Sequence, residues 1–217
     1  MSDIWQFITT NSGGISVVTN VMMLAIWVLY FQLLLHTYRH GMRPKILINR
    51  AAGYTLDARC VITNMSSEKI HLESVLLVLR NDEEEQTFVL TEHADNEAEE
   101  MPPQVWFQGP LGSGELIDIG TYRSLIDRAL GPNSSDHPLR EPRLRSLKIA
   151  VVATYTAEDQ IIGAERTFDI KGDDRRMAPR AYSAEQIRSG RRRAEIERFM
   201  LRYAKGQVRD DELRKPL

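Results

Sequence analysis

Leu56-Asp57-Ala58-Arg59-Cys60-Val61-Ile62-Thr63 puts Leu56, Ala58, Cys60 and Ile62 on one side of an extended chain and Asp57, Arg59 and Thr63 on the other. A period of two is the mark of a strand with one face in a core. The polar interval Asn64 to Lys69 reads as a turn, and Ile70 to Leu79 follows as a second, β-branched and leucine-rich run. Working outward, further strands are expected at Lys45 to Asn49, Gln86 to Leu90, Glu115 to Ile119, Leu147 to Tyr155 and Ile161 to Ile170, which makes seven. The residues Ala157, Glu158, Asp159 and Gln160 form a turn that folds the last two into an antiparallel hairpin. Seven short strands without alternating helices point to two packed sheets rather than a parallel α/β sheet.

On strand count and spacing, residues 44–171 resemble an immunoglobulin or fibronectin type III-like β-sandwich; the disulfide pair is absent, and Ile70 to Leu79 carries no tryptophan. Two insertions interrupt the strands. From Asp82 to Glu100 there are nine acidic residues and no Lys or Arg, followed by Met101, Pro102 and Pro103. From Tyr122 to Leu130 the apolar positions Tyr122, Leu125, Ile126 and Ala129 give one short helix, ended by Gly131 and Pro132 and followed by a polar loop through Pro142 that is expected to be mobile.

The 217 residues suffice for one globular domain with appendages, and the single cysteine excludes both a disulfide framework and a multi-cysteine zinc cage. The net charge of −2 conceals an uneven distribution. Residues 1–50 carry four Lys/Arg and one acid, residues 51–172 carry 11 and 21, and residues 173–217 carry 13 and eight, so the balances are +3, −10 and +5.

Ile15 to Leu35 is 21 residues without a charge, about 31 Å as a helix, the thickness of a bilayer's hydrocarbon core. Twelve of them are Ile, Val, Leu or Phe, together worth about −4 to −7 kcal/mol for insertion. Residues 15–38 are read as a retained transmembrane helix behind a short N-terminal tail (1–14), because no Lys or Arg precedes the run and no small-residue cleavage site follows it. Arg39, Arg43, Lys45 and Arg50 follow without an acid among them, whereas the tail offers only Asp3. The positive-inside rule therefore places the N-terminus outside and the C-terminal domain in the cytoplasm, and the membrane is expected to be the cell's inner (plasma) membrane.

At the other end, residues 172–182 read as a linker. Ser183 with Gln186 then makes a capping box for a basic amphipathic helix over 183–205, weakened in its middle by Gly190, before a polar tail at 206–217. Ile196, Phe199, Met200 and Tyr203 share one arc of this helix and Arg191, Arg198, Arg202 and Lys205 another. These eight residues are expected to meet the membrane or a partner, with the inner leaflet preferred over the protein's own acidic body because exposed sheet faces are usually polar.

Catalytic motifs are missing: no Gly-x-Gly-x-x-Gly, phosphate loop, Gly-x-Ser-x-Gly or His-Glu-x-x-His occurs. The glycines at 109, 112 and 114 read as a loop, His36 and His40 as headgroup-level residues without a third ligand, Cys60 as a small core residue, and His71, His93 and His137 as lacking partners. No enzyme, cofactor or metal is expected, nor nucleic-acid binding, since the cytosolic part is net acidic and lacks a recognition motif. The expectation is a mainly β, single-pass anchored module that binds membrane lipid and a membrane or cytoplasmic protein. The alternative is a self-assembling membrane element, such as a pore-forming or channel accessory subunit, which would make the chain a homo-oligomer.

Overall fold

The computed structural model describes residues 12–41, 44–90, 108–131, 137–156, 160–172 and 174–208. Several expectations fall wholly or partly outside them: most of the N-terminal tail, Arg43, the acidic run beyond Leu90, Pro102 and Pro103, residues 132–136 of the polar loop after Gly131, the turn at 157–159 and the tail beyond Val208. The chain divides after Arg43 into two compact units. The first is the helix α1 (Ser12–Gly41). Within it Gly13–His36 is long and apolar enough to cross a membrane, and its described side chains are exposed.

The second unit is mainly β and has two antiparallel sheets. The smaller has the order β1 (Ile46–Ala51), β2 (Arg59–Asn64), β6 (Leu116–Thr121). The larger has the order β10 (Glu185–Gln186), β8 (Gln160–Lys171), β7 (Ser146–Tyr155), β3 (Ile70–Arg80), β4 (Glu85–Val89), with β5 (Gly109–Leu111) also paired to β3 and β9 (Arg176–Pro179) to β8. Between β6 and β7 lies α2 (Tyr122–Leu130), and α3 (Gly190–Ala204) follows β10. All seven strands read from hydrophobic period are present, but β2 starts only at Arg59: Leu56, Asp57 and Ala58, read as its beginning, lie in a turn in which Ala58 N donates to Thr55 O at 3.1 Å. The hairpin of β7 and β8 is present too, in register from Ser146 opposite Asp169 to Tyr155 opposite Gln160. α2 occupies the expected span; Thr121 Oγ1 accepts from Ser124 N at its start, and Gly131, at φ +79°, ends it.

One core joins both sheets and α2: Ile46, Ile48, Cys60 and Ile62 from the small sheet meet Leu77, Leu79, Ile149, Val151 and Phe168 from the large one. A second cluster lies on the opposite face of the large sheet, where Ile196 and Phe199 of α3 and Ile187 pack on Leu76, Val89, Ala150 and Val152. Strands β3 and β7 are thus covered on both sides. Val75 to Leu79 forms an unbroken apolar run for that reason, since a strand buried on both faces has no polar alternation to keep.

Four expectations about the termini of elements need correction. Gly109–Leu111 is a strand against Ile70–Leu72 and not a loop. The linker at 172–182 contains β9, paired with Phe168 to Lys171. Helix α3 starts at Gly190 with Ser189 as N-cap, seven residues after the expected Ser183 start, because Glu185 and Gln186 pair with Glu165 and Ala164 of β8. Gly190 is accordingly the first residue of α3, not a weak point inside it, and a glycine there costs the helix little.

Gly163 on β8 permits the close approach of the C-terminal segment. Its carbonyl accepts from Ile187 N at 2.8 Å, and a Cβ at this position would stand 2.8 Å from Val151 O and 3.0 Å from Ile187 Cδ1. Gly163→Ala should therefore lower stability by about 1–3 kcal/mol through overpacking. The check is a reduced denaturant midpoint at an unchanged m-value; a variant as stable as the parent would show that the segment yields freely.

Candidate functional site

Nucleophiles and titratable groups come first. Cys60 on β2 is fully buried, and burial pushes its thiol up from 9.0 to about 12. Its neighbour Tyr122, at the start of α2, is raised by the same cause, and its ring packs edge-on against Phe168 at 5.4 Å. A thiol held protonated in an apolar setting is a core residue rather than a nucleophile. Arg166 of β8 points into the same region from the sheet edge: its guanidinium donates to Ile48 O at 2.6 Å, Asn49 Oδ1 at 3.1 Å and Tyr182 O at 3.0 Å, and lies 5.3 Å from the Phe168 ring centre. It laces β8 to the outer edge of β1. Gln186 does the same one residue pair away, donating to Ile46 O at 2.7 Å and accepting from Ile46 N at 3.0 Å.

An open cleft of about 330 Å³ lies beside α2, lined by Leu56, Arg123, Ile126, Asp127, Arg140 and Glu141. Backbone bonds from Tyr122 N to Ala58 O and from Arg123 N to Leu56 O fix the start of α2 against the approach to β2 and so aim Arg123 at the cleft. Its guanidinium contacts Asp57 Oδ1 at 2.7 Å and Glu141 Oε2 at 2.8 Å, while Arg140 pairs with Asp127. The hydrogen bond and charge of Arg123 hold the Asp57 carboxyl below its usual value, and Asp57 and Glu141 together raise Arg123. These are mutually neutralised, solvent-facing pairs of the kind that orient a surface and contribute little stability. Both shifts hold the charged forms, Asp57 ionised and Arg123 protonated, so the pair is built to stay an ion pair rather than to exchange a proton.

Among the described residues the histidines do not converge, and His93 lies outside them. His36 is exposed on α1, the side chain of His40 lies outside the described residues, His71 is exposed on β3, and His137 Nδ1 accepts from Leu139 N at 3.2 Å. Among the described residues, no group of three or more His, Cys, Asp or Glu is placed to hold a metal.

The flanking basic residues have separate fates. Lys45 is exposed beside β1; Arg50 is half-buried, donating to Met177 O and lying 4.8 Å from the Tyr54 ring centre; the side chains of Arg39 and Arg43 lie outside the described residues. On α3, Ile196 and Phe199 are 4% and 5% exposed, and Met200 and Tyr203 pack partly against the same cluster. This differs from the expectation that a leaflet or partner takes the apolar arc. The sheet face under α3 is itself apolar, at Leu76, Ala150 and Val152, and supplies the cover. Arg191, Arg198, Arg202 and Lys205 remain exposed on the outer side. Sequence reading missed the Asp57, Arg123 and Glu141 cluster and the Arg166 and Gln186 laces, whose partners stand 16 to 140 residues apart and leave no local signal.

Because the Cys60 thiol is raised in the folded chain, the folded state keeps its proton above pH 9.0 while the unfolded state loses it. The corresponding stability is fully present below pH 9.0 and is lost as pH rises toward 12. Native protein at pH 9 should accordingly react with a thiol reagent far more slowly than denatured protein, and Cys60→Ala should flatten the alkaline fall in stability, leaving the part due to Tyr122. Rapid labelling of the native chain would mean that the site is open to solvent. Compared with known proteins, the chain matches no family model, no curated protein and no solved structure.

Proposed function

We propose that this chain is a single-pass membrane-anchored protein of the inner (plasma) membrane whose cytoplasmic two-sheet body is a protein-interaction or scaffold module, and that it is not an enzyme. The observation that carries the reading is Gly13–His36: 24 residues of apolar helix with none of its most apolar window buried by the rest of the chain. So much uncovered apolar surface favours a bilayer as its solvent. Thr19 Oγ1, a polar group within the span, donates to Ile15 O at 2.9 Å and is satisfied inside the helix. Orientation rests on Arg39, Arg43, Lys45 and Arg50 following the helix.

Strand order supports the finer reading of the body as an immunoglobulin or fibronectin type III-like sandwich. Taking β1, β2, β3, β4, β6, β7 and β8 as A, B, C, C′, E, F and G, the sheets run A-B-E and C′-C-F-G, which is the Greek-key arrangement of that class with β5, β9 and β10 added. Modules of this kind bind through end loops and sheet edges. The outer edge of β6, with Leu116 exposed, and the charged cleft beside α2 are the surfaces suited to a protein partner here.

Full-length protein should remain in the membrane pellet after carbonate extraction, and deletion of residues 13–36 should release it. A C-terminal reporter active only outside the cytoplasm would reverse the orientation. The fragment 44–217 should give a β-type circular dichroism spectrum and one cooperative transition; a mainly helical spectrum would contradict an independently folding body.

A further inference from the structure

We infer that the outward face of α3 is a docking surface for an anionic lipid leaflet, with Arg191, Arg198, Arg202 and Lys205 lying on the headgroups while the opposite side of the helix stays on the protein's own sheet. The inference rests on the reading of α1 as a membrane anchor.

The two faces of α3 have different covers. Ile196 and Phe199 are held by Leu76, Val89, Ala150, Val152 and Ile187, which fixes the rotation of the helix about its axis. At 100° per residue, Arg191, Arg198, Arg202 and Lys205 then fall in an outward arc of about 60°. All four are exposed, and no Asp or Glu shares their arc. The acid beside it, Glu195, is drawn to Arg192, whose Nη1 is 3.0 Å from Glu195 Oε2, and Arg193 donates to Ile187 O at 3.1 Å. The stripe extends about 21 Å along the axis.

Its flat geometry and charge select the occupant. A leaflet is met by one face of a body, and Arg191, Arg198, Arg202 and Lys205 share one face of α3. A nucleic acid or an acidic protein would have to reach the stripe from solution against the −10 carried by residues 51–172. The anchor keeps the body beside a leaflet at all times, and each cation near anionic headgroups favours the bound state about fivefold, which for four is on the order of several hundredfold. Binding is electrostatic and without insertion: lifting Ile196 and Phe199 into the acyl boundary would strip the outer face of β3 and β7 of its cover.

The test uses the full chain with Leu201→Cys labelled by a donor fluorophore. Leu201 is exposed on α3, and the native Cys60 is buried, so the dye reports this position. The protein is placed in nanodiscs of phosphatidylcholine with or without phosphatidylserine, each with a headgroup-linked acceptor. Energy transfer should be higher in the phosphatidylserine discs, fall to the neutral level at high salt and in R191E/R198E/R202E, and persist in R191K/R198K/R202K. Equal transfer in both lipids, or transfer indifferent to salt and to charge reversal, overturns the inference. So does a DNA duplex that binds the chain in neutral discs when phosphatidylserine has no effect. Entry into neutral discs reads the anchor alone. If it fails, α1 is not an anchor, and flotation of the same chain with anionic vesicles still decides the stripe: salt-sensitive flotation lost in R191E/R198E/R202E supports it, and none overturns it.

Discussion

Burial of β3 and β7 on both faces is the constraint on which the rest of the body depends. Their inward side chains, Val75, Leu77 and Leu79 with Ile149 and Val151, face the small sheet, and their outward ones, Leu76 with Ala150 and Val152, face α3. A two-sheet body with a bare outer face would expose that second apolar patch to water. The C-terminal helix is therefore a third layer of the fold, and its placement determines which of its own residues meet the surroundings. Fixing the apolar arc inward leaves the basic arc outward as a rigid feature, whereas a free amphipathic helix would be able to roll.

The outer edge of β1 shows a second constraint. A strand edge presents unpaired backbone groups that recruit other strands, and here side chains from the larger sheet occupy them. Gln186 takes both the N–H and the carbonyl of Ile46, Arg166 takes the carbonyl of Ile48, and Arg50 reaches back to Met177 O. Each donor is itself held in the core or by a paired strand. The two sheets are thus laced along one border by polar side chains and joined through the middle by apolar ones.

Much of the body was legible from alternation alone. Leu56 to Thr63 and Ile161 to Ile170 show it because one of their faces is wet or mixed, and Tyr122 to Leu130 shows a helix because four apolar residues recur at three- and four-residue steps. The short strands were not legible. Gly109–Leu111 and Glu185–Gln186 have too few residues for a period, and their pairing is decided by β3 and β8 far away in sequence. The capping box at Ser183 was a local pattern overridden by tertiary pairing. The destination of the apolar arc was misread for a related reason: the continuous run Val75 to Leu79 held the signal of a doubly covered strand, but it does not say which segment covers it. The charged cluster around Arg123 left no trace at all, since ion pairs between a helix and distant loops follow from the fold and do not direct it.

The Gln186 lace has a consequence for the order of events during synthesis. Ile46 lies near the start of the body, and its edge partner is 140 residues downstream. A chain growing from its N-terminus completes β1, β2 and β6 well before residue 186 exists, so for most of translation the small sheet carries an open border next to its neighbours on the same messenger. Folding of the body is in this sense closed from its C-terminal end, and a chain that stops before Glu185 retains every strand of the small sheet while the N–H and carbonyl of Ile46 on the β1 edge stay without their Gln186 partner and open to another strand.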